Sequence, residues 1–274
     1  YLANHPEVYR VVDLTDVIST EITRSLNYRD PISRLIYRLE RPRIERFEQW
    51  VAETFEETWL ISEADKAVLA ARCPEANVQV VTNGIDADRF HPTGEPEQSN
   101  TILLVGHMRV FHNVDAARHL AEDILPLIRR EIPTARLKLV GANPGPAVQR
   151  LAQAPGVTVT GFVPDLNEAL NRAAVFVAPL RFAAGIQIKV LEAMAAAKPV
   201  VTTSLVNEGL GAEPGRDLLI ADDAEATARQ TISLLRDRQL RREIGQAART
   251  FVTRKYSWEH AVERMRVIGA RVVS

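Results

Sequence analysis

The residues best suited to chemistry in this chain of 274 residues gather in APLRFAAGIQIKVLEAMAAAKPVVTT, positions 178 to 203. The segment reads as a buried strand, a glycine loop, a helix with polar residues near its start, and a second buried strand. A loop that opens a helix presents backbone N–H groups without intrahelical partners at the positive end of the helix dipole, so it stabilises an anion without a metal. Gly185, with Ile186 beside it, stands at that mouth, where the missing Cβ admits a close ligand. Lys189, expected one turn into the helix, adds positive charge, and Arg181 flanks the loop from the other side. Glu192 follows Lys189 at i+3, on the same helix face, where its carboxylate can accept both hydrogen bonds of a sugar diol. The same spacing also describes an ordinary solvated Lys/Glu pair worth about 0.2–0.5 kcal/mol.

The elements needed to position these residues are visible on either side. Apolar runs at 101 to 106, 136 to 141, 157 to 161, 174 to 179, 199 to 203 and 218 to 222 are continuous rather than alternating, as in strands covered on both faces. Helix-length segments at 113 to 131, 146 to 154, 165 to 172, 186 to 197 and 224 to 236 separate or follow them. The pattern predicts a doubly wound parallel α/β sheet of about six strands, whose ligand crevice lies at the C-terminal strand ends. Gly106, Gly141, Gly161 and the loop from Arg181 to Gly185 all fall at that edge.

Residues 1 to 85 read as an incomplete N-terminal α/β domain. Its strands are expected at 10 to 14, 58 to 62 and 77 to 81, with a helix entered at Asp30-Pro31 that Pro42 kinks or divides, and a second helix capped by Ser62 and Asp65. Three strands make a poor independent domain, so this unit is expected to lean on the second one or to have lost strands upstream. The start at Tyr1, without an initiator Met or a signal peptide, favours truncation. Residues 86 to 100 read as hinge and linker, 101 to 256 as the second domain, and 257 to 274 as a C-terminal helix returning toward the first.

Composition narrows the function classes. Hydrophobic residues make up 46% and charged residues 25% of the chain, and no apolar run approaches the ~20 residues of a transmembrane helix. A formal charge of −1 argues against bulk nucleic-acid binding. Cys73 is the single cysteine, which rules out an intrachain disulfide and suggests a reducing, cytoplasmic compartment. No Cys/His cluster suggests zinc, and the Asp86-Ala87-Asp88 triplet, which has the spacing of an Asp-x-Asp metal motif, follows an Asn-Gly turn that explains it better. Seven arginines between 24 and 46 interleave with Leu35, Ile36, Tyr37, Leu39 and Ile44, the composition of a basic amphipathic helix able to make peripheral contact with the inner membrane. Asp30, Glu40 and Glu45 favour a solvated helix instead.

Four stretches together resemble the retaining glycosyltransferases of the GT-B fold, the glycosyl transferases group 1 family. They are TNGIDADRFHP (82 to 92), LLVGHMRVFHNVDAARHL (103 to 120), VTGFVPDLNEALNRAAVFVAPL (159 to 180) and GIQIKVLEAMAAAKPVVTT (185 to 203). Asn113 before a helix, combined with the Lys189-x-x-Glu192 helix, is most similar to bacterial sugar transferases of exopolysaccharide and exosortase-associated clusters. The resemblance implies a nucleotide-diphosphate sugar as co-substrate, with no metal or other cofactor. It places the base near Gly161, Phe162 and Val163, the pyrophosphate near Gly106 and Gly185, and the ribose on Glu192. His107 and Arg109 join the donor site through the first phosphate loop, and Lys189 and Arg181 are the expected catalytic cations. A glycan or lipid-linked acceptor would lie across the cleft, and transfer would proceed with retention of anomeric configuration.

Departures from the family pattern are informative. A Glu that contacts the transferred sugar is expected eight positions before Glu192, where this chain has Ala184, and the Arg and Lys of the first phosphate loop are replaced by His107 and Asn113. Of the two neighbouring histidines, His112 reads as local structure beside the helix start. A sugar-nucleotide epimerase and a binding module without turnover remain alternatives on the same fold. A nicotinamide dehydrogenase is disfavoured, because GANPG at 141 to 145 has the wrong spacing for a dinucleotide fingerprint.

Overall fold

Two parallel sheets, each built by strand–helix alternation, carry the chain. The computed structural model describes residue 5 and residues 7 to 272, with side chains through Arg266; the expectations touching Tyr1 and the last two residues fall outside these. The first sheet has the order β1-β2-β3, from Val11–Thr15, Glu57–Leu60 and Val78–Val80. The second has the order β6-β5-β4-β7-β8-β9, from Val157–Gly161, Arg136–Val140, Thr101–Val105, Val175–Ala178, Val200–Thr202 and Leu219–Ile220. All strand pairs are parallel. The order of the second sheet reverses between β4 and β7, the switch point at which such sheets open a ligand crevice.

Burial explains why the second sheet forms so firmly. Every residue of β4 and β7 is buried, as the unbroken apolar runs require once helices cover both faces. The helices are α4 (Phe111–His119), α5 (Leu125–Glu131), α6 (Pro146–Arg150), α7 (Leu166–Arg172), α8 (Ile188–Ala195), α9 (Ser204–Leu210), α10 (Ala224–Arg236) and α11 (Arg238–Lys255), preceded in the first unit by α1 (Ile18–Ser25), α2 (Pro31–Thr54) and α3 (Glu63–Arg72). A smaller core of Val17, Ala52, Leu60, Leu69, Cys73 and Val78 lies under the first sheet, while Ile61 at the end of β2 belongs to the core of the second unit. The three-stranded unit therefore leans on its neighbour.

Several boundaries differ from the sequence reading for identifiable reasons. The segment expected as one helix from 113 to 131 starts at Phe111 and widens to a π-helical turn over Leu120–Ile124. Pro126 follows that turn; it has no N–H to give an α-helical bond, and its ring excludes the carbonyl four residues back. Pro42 does not divide α2, which runs unbroken for 24 residues from an Asp30 cap. Helix α8 begins at Ile188 rather than 186, so Lys189 stands in its first turn, not one turn in. Helices α1 and α9 carried no distinct pattern in the sequence.

The segment between the two units is pinned. His91 and Thr93 donate backbone N–H groups to Asn167 and Asn171 on α7, and Glu97 pairs with Lys198 and Arg241. Helix α12 (Trp258–Val272) crosses back to the first unit: the Ile85 N–H bonds the Tyr256 carbonyl, Trp258 covers Gly84, and Arg264 donates to the Val80 carbonyl of β3.

At the switch-point edge, Gly141 lies against Gly106 so closely that an added Cβ would sit 1.8 Å from the Gly106 carbonyl oxygen, and its φ of +149° is one that side-chain-bearing residues avoid. Neither backbone can give. Gly141→Ala is expected to destabilise the fold by roughly 2–4 kcal/mol in urea titration, through strain and overpacking; a loss below about 0.5 kcal/mol would show that the loops are not locked together.

Candidate functional site

The crevice is assembled from the loop after β4, the loop after β7 and the start of α8, and one asparagine ties them together. Asn113, buried in the first turn of α4, donates from Nδ2 to the His107 carbonyl (3.2 Å) and accepts at Oδ1 from Lys189 Nζ (2.5 Å). Gly106 makes room for it: a Cβ there would meet the Asn113 side chain at 2.6 Å. The Asn113 substitution noted in the sequence thus orients the lysine on the opposite side of the switch point.

Lys189 is held in an environment that disfavours its charge. Burial lowers the pKa of its amine to about 8, against the opposing fields of Glu192 and Glu21. Burial likewise raises Glu192 to about 7, opposed by Arg89 from the hinge segment and by Lys189. The two groups share one helix face, with the Ile188 and Lys189 N–H groups of the first turn of α8 beside the lysine, while the Val190 N–H is taken by the Gln187 carbonyl. An ammonium at a helix N-terminus works against the dipole, and an anion bound between them relieves both.

The other expected site residues sit along the same edge in different states. His107 and Arg109 are exposed, and His107 Nε2 lies 3.2 Å from Asn143 Nδ2. Gly161 accepts the Gly141 N–H; Phe162 projects into solvent with 74% of its surface exposed, and Val163 is half-buried. A free aromatic ring at this end of β6 is able to stack on a planar base. Arg181 is engaged within the protein: its guanidinium grips Asp115 with two hydrogen bonds of 2.9 and 2.5 Å and lies over the Tyr28 ring. It bounds the site with its charge already matched. His112 faces Glu21 of α1 at 3.3 Å, and Asp86 caps its own turn by accepting the Arg89 N–H.

The first unit contributes more than the sequence reading assigned to it. Gly185 has a φ of +60°, and its N–H is taken by Asp65 Oδ2 at 3.0 Å; a Cβ on Gly185 would fall 1.6 Å from Asp16 Oδ1. Ile186, next in the loop, is buried. Asp65 also holds the Ser62 hydroxyl, so the expected cap reaches across the cleft. Arg24 donates to the Ala183 carbonyl and pairs with Glu208 at 2.6 Å, and Phe182 is stacked between Tyr28 and Phe111. Between these contacts remains a cavity of about 20 Å³, room for one water, lined by Arg24, Asp65, Gly185 and Glu208. An anion reaching the Gly185 N–H must displace Asp65; one lying along the first turn of α8 need not. Only the Ser62/Asp65 cap had a sequence signal here, because Gly185, against which Asp16 and Asp65 both lie, is more than a hundred residues away.

Asp16 bears the cost of this closure. Burial, with Asp65, Glu21 and Asp13 adding repulsion, raises its carboxyl to about 6, and its Oδ1 has no hydrogen-bond partner among the described residues. A carboxyl with a raised folded-state pKa contributes stability below its unfolded value near 4 and loses it as pH rises through about 6. Asp16→Asn is therefore expected to raise the melting temperature by a few degrees at pH 7, about 2–4 °C per kcal/mol, and to leave it unchanged near pH 4. Equal shifts at both pH values in a calorimetric scan would assign the effect to packing rather than charge.

Comparison with known proteins agrees with this architecture. A family model described as Glycosyl transferases group 1 matches residues 99 to 237. Sulfoquinovosyl transferase SQD2 of Arabidopsis thaliana is 27% identical over 223 residues, covering 73% of this chain and 41% of its own. Alpha-maltose-1-phosphate synthase of Mycolicibacterium smegmatis is 31% identical over 224 residues, covering 71% of this chain and 57% of its own. The chain thus spans about half the length of these curated relatives. Among solved structures, Anabaena HepE in complex with UDP and glucose superposes with a TM-score of 0.71 at 13% identity, over 96% of this chain and 71% of that one. The six-stranded parallel sheet, its neighbouring unit and these matches have the GT-B architecture, and the chain belongs to the glycosyl transferases group 1 family.

Proposed function

We propose that the crevice binds a nucleotide-diphosphate sugar and that the protein transfers the sugar, with retention, to a glycan or lipid-linked acceptor in bacterial surface polysaccharide or glycoconjugate synthesis. The observation that carries the donor reading is the Asn113–Lys189–Glu192 arrangement at the switch point of a family member's sheet. Lys189 and the first-turn amides of α8 face the diphosphate, Glu192 accepts the ribose hydroxyls, and Phe162 and Val163 border the base. The UDP and glucose held by HepE support a donor of this class.

Charge development makes the lysine consequential. As the bond from sugar to phosphate breaks, negative charge accumulates on the departing diphosphate, and a pre-positioned cation stabilises it more in the transition state than in the ground state. The acceptor hydroxyl attacks from the face the leaving group vacates, and a phosphate oxygen takes its proton; no carboxylate nucleophile is required. Ala184 favours a donor in which the sugar is contacted less from this loop than in other family members.

Calorimetric titration with UDP, GDP and ADP in EDTA tests the reading. One nucleotide is expected to bind in the micromolar range, more weakly in both Lys189→Ala and Glu192→Ala, with Lys189→Ala also lowering any turnover about a hundredfold or more. Absence of binding to all three would contradict it, and conversion of a nucleotide sugar without acceptor would favour the epimerase alternative.

The pH dependence has a definite sign. A bound anion prefers Lys189 charged, so affinity falls as pH rises through about 8; diol binding prefers Glu192 ionised, so affinity falls as pH drops through about 7. A bell-shaped affinity profile is expected; Glu192→Gln should remove its acid limb and, by removing a field that holds the Lys189 pKa up, move the basic limb to lower pH.

A further inference from the structure

Helix α2 carries its apolar residues on the wrong side for a core helix. Its inward face is Glu48, Val51 and Ala52, with Glu48 bound to Ser19 and Arg72. On the opposite side Ile32, Leu35, Ile36, Leu39, Phe47 and Trp50 recur at helical spacing and are exposed, Ile32 by 74% and Leu39 by 64%. The exposed residues from Pro31 to Trp50 are these six, Pro31, Pro42, and the arginines 38, 43 and 46. Up to Trp50 the carboxylates are drawn off this face: Glu45 lies near Arg41 and Arg72, Glu48 is buried, and Glu40 lies along the flank on Arg43; Glu53, in the last turn, is exposed. An apolar stripe about 27 Å long, with the exposed Arg38, Arg43 and Arg46 along it against Glu40 on its flank and Glu53 beyond its end, is complementary to an apolar surface of net negative charge.

We propose that this face of α2 docks on an anionic lipid bilayer. No helix among the described residues is long and apolar enough to cross a membrane, so the helix lies in the interface, its leucines and isoleucines among the acyl chains and its guanidinium groups at the phosphates. Phe47 and Trp50, with rings 5.8 Å apart, supply the aromatic contacts favoured at that depth. A second copy fits less well: antiparallel pairing about the middle of the stripe sets Arg43 against Leu39 and Arg46 against Ile36, which desolvates both guanidinium groups. Docking also serves the cleft. Just before the stripe, Tyr28 stacks on Phe182 and Arg29 lies 4.4 Å over Phe111, so the helix enters the membrane face directly from the wall of the crevice. A lipid-linked acceptor held in the bilayer then meets the donor site; that last step rests on the function proposed above, whereas docking does not.

The test is co-sedimentation of the whole chain, without nucleotide, with vesicles of phosphatidylcholine alone and with about 30% phosphatidylglycerol. Binding to the anionic vesicles, at least about tenfold weaker on the neutral ones, is expected, along with loss in Leu35→Glu/Leu39→Glu and weakening in Arg43→Glu/Arg46→Glu. Both pairs are exposed, and an unchanged melting curve shows that they fold. Absence of anionic-vesicle binding, its retention in the leucine variant, or a light-scattering dimer that the leucine variant dissolves without vesicle binding would each overturn the proposal. Nucleotide titration of the same samples separates this outcome from failure of the donor reading.

Discussion

A lysine amine withdrawn from water at the positive end of a helix is the constraint to which the crevice answers. Lys189 donates one hydrogen bond to Asn113 and gains the field of Glu192, and loses hydration against the dipole of α8. An isolated helix would turn such a side chain outward. Here the helix is fixed between β7 and β8 by Val190, Leu191, Ala193, Met194 and Ala195, all buried, so the large core of the second sheet holds a locally unfavourable arrangement in place. Sites that must bind an anion commonly carry strain of this kind, which the ligand relieves.

The two units meet across the crevice with opposite chemical character. The second brings a cation and helix amides; the first brings the Asp16 and Asp65 carboxylates, both with raised pKa values. Asp65 is engaged by Gly185 and Ser62 with space beside it for one water, so in the proposed reading the acidic wall closes the crevice at the Gly185 loop and repels phosphate from it, leaving the first turn of α8 to the anion. The register of the walls depends on remote pins: Tyr256 OH and Lys255 both hold the Leu210 carbonyl at the end of α9, and Gly209 of α9 packs on the Gly185 carbonyl.

Much of the second sheet was legible because parallel strands buried on both faces write continuous apolar runs, and glycines mark their C-terminal ends. All six strands followed from that, whereas their order, with its reversal between β4 and β7, came from the structure. What escaped was local chemistry overridden by tertiary structure. Pro126 acted through hydrogen-bond geometry that no hydrophobic period records, and α9 is a single capped segment whose Thr203 cap resembles strand continuation. For the site, the convergence of the Gly106, Gly141, Gly161 and Arg181-to-Gly185 loops at one sheet edge was readable because one fold rule places loop ends together. The engagement of Arg181 by Asp115 and the reach of Asp65 to Gly185 were not, since each is a pairing between distant segments that sequence spacing cannot express.

The most direct test of the central claim is a crystal structure of this chain grown with the nucleoside diphosphate it binds. The account predicts a phosphate oxygen within about 3.2 Å of Lys189 Nζ or a first-turn N–H of α8, with the ribose hydroxyls on Glu192. A diphosphate seated away from α8, with the Lys189–Asn113 bond undisturbed and Glu192 uncontacted, would contradict it.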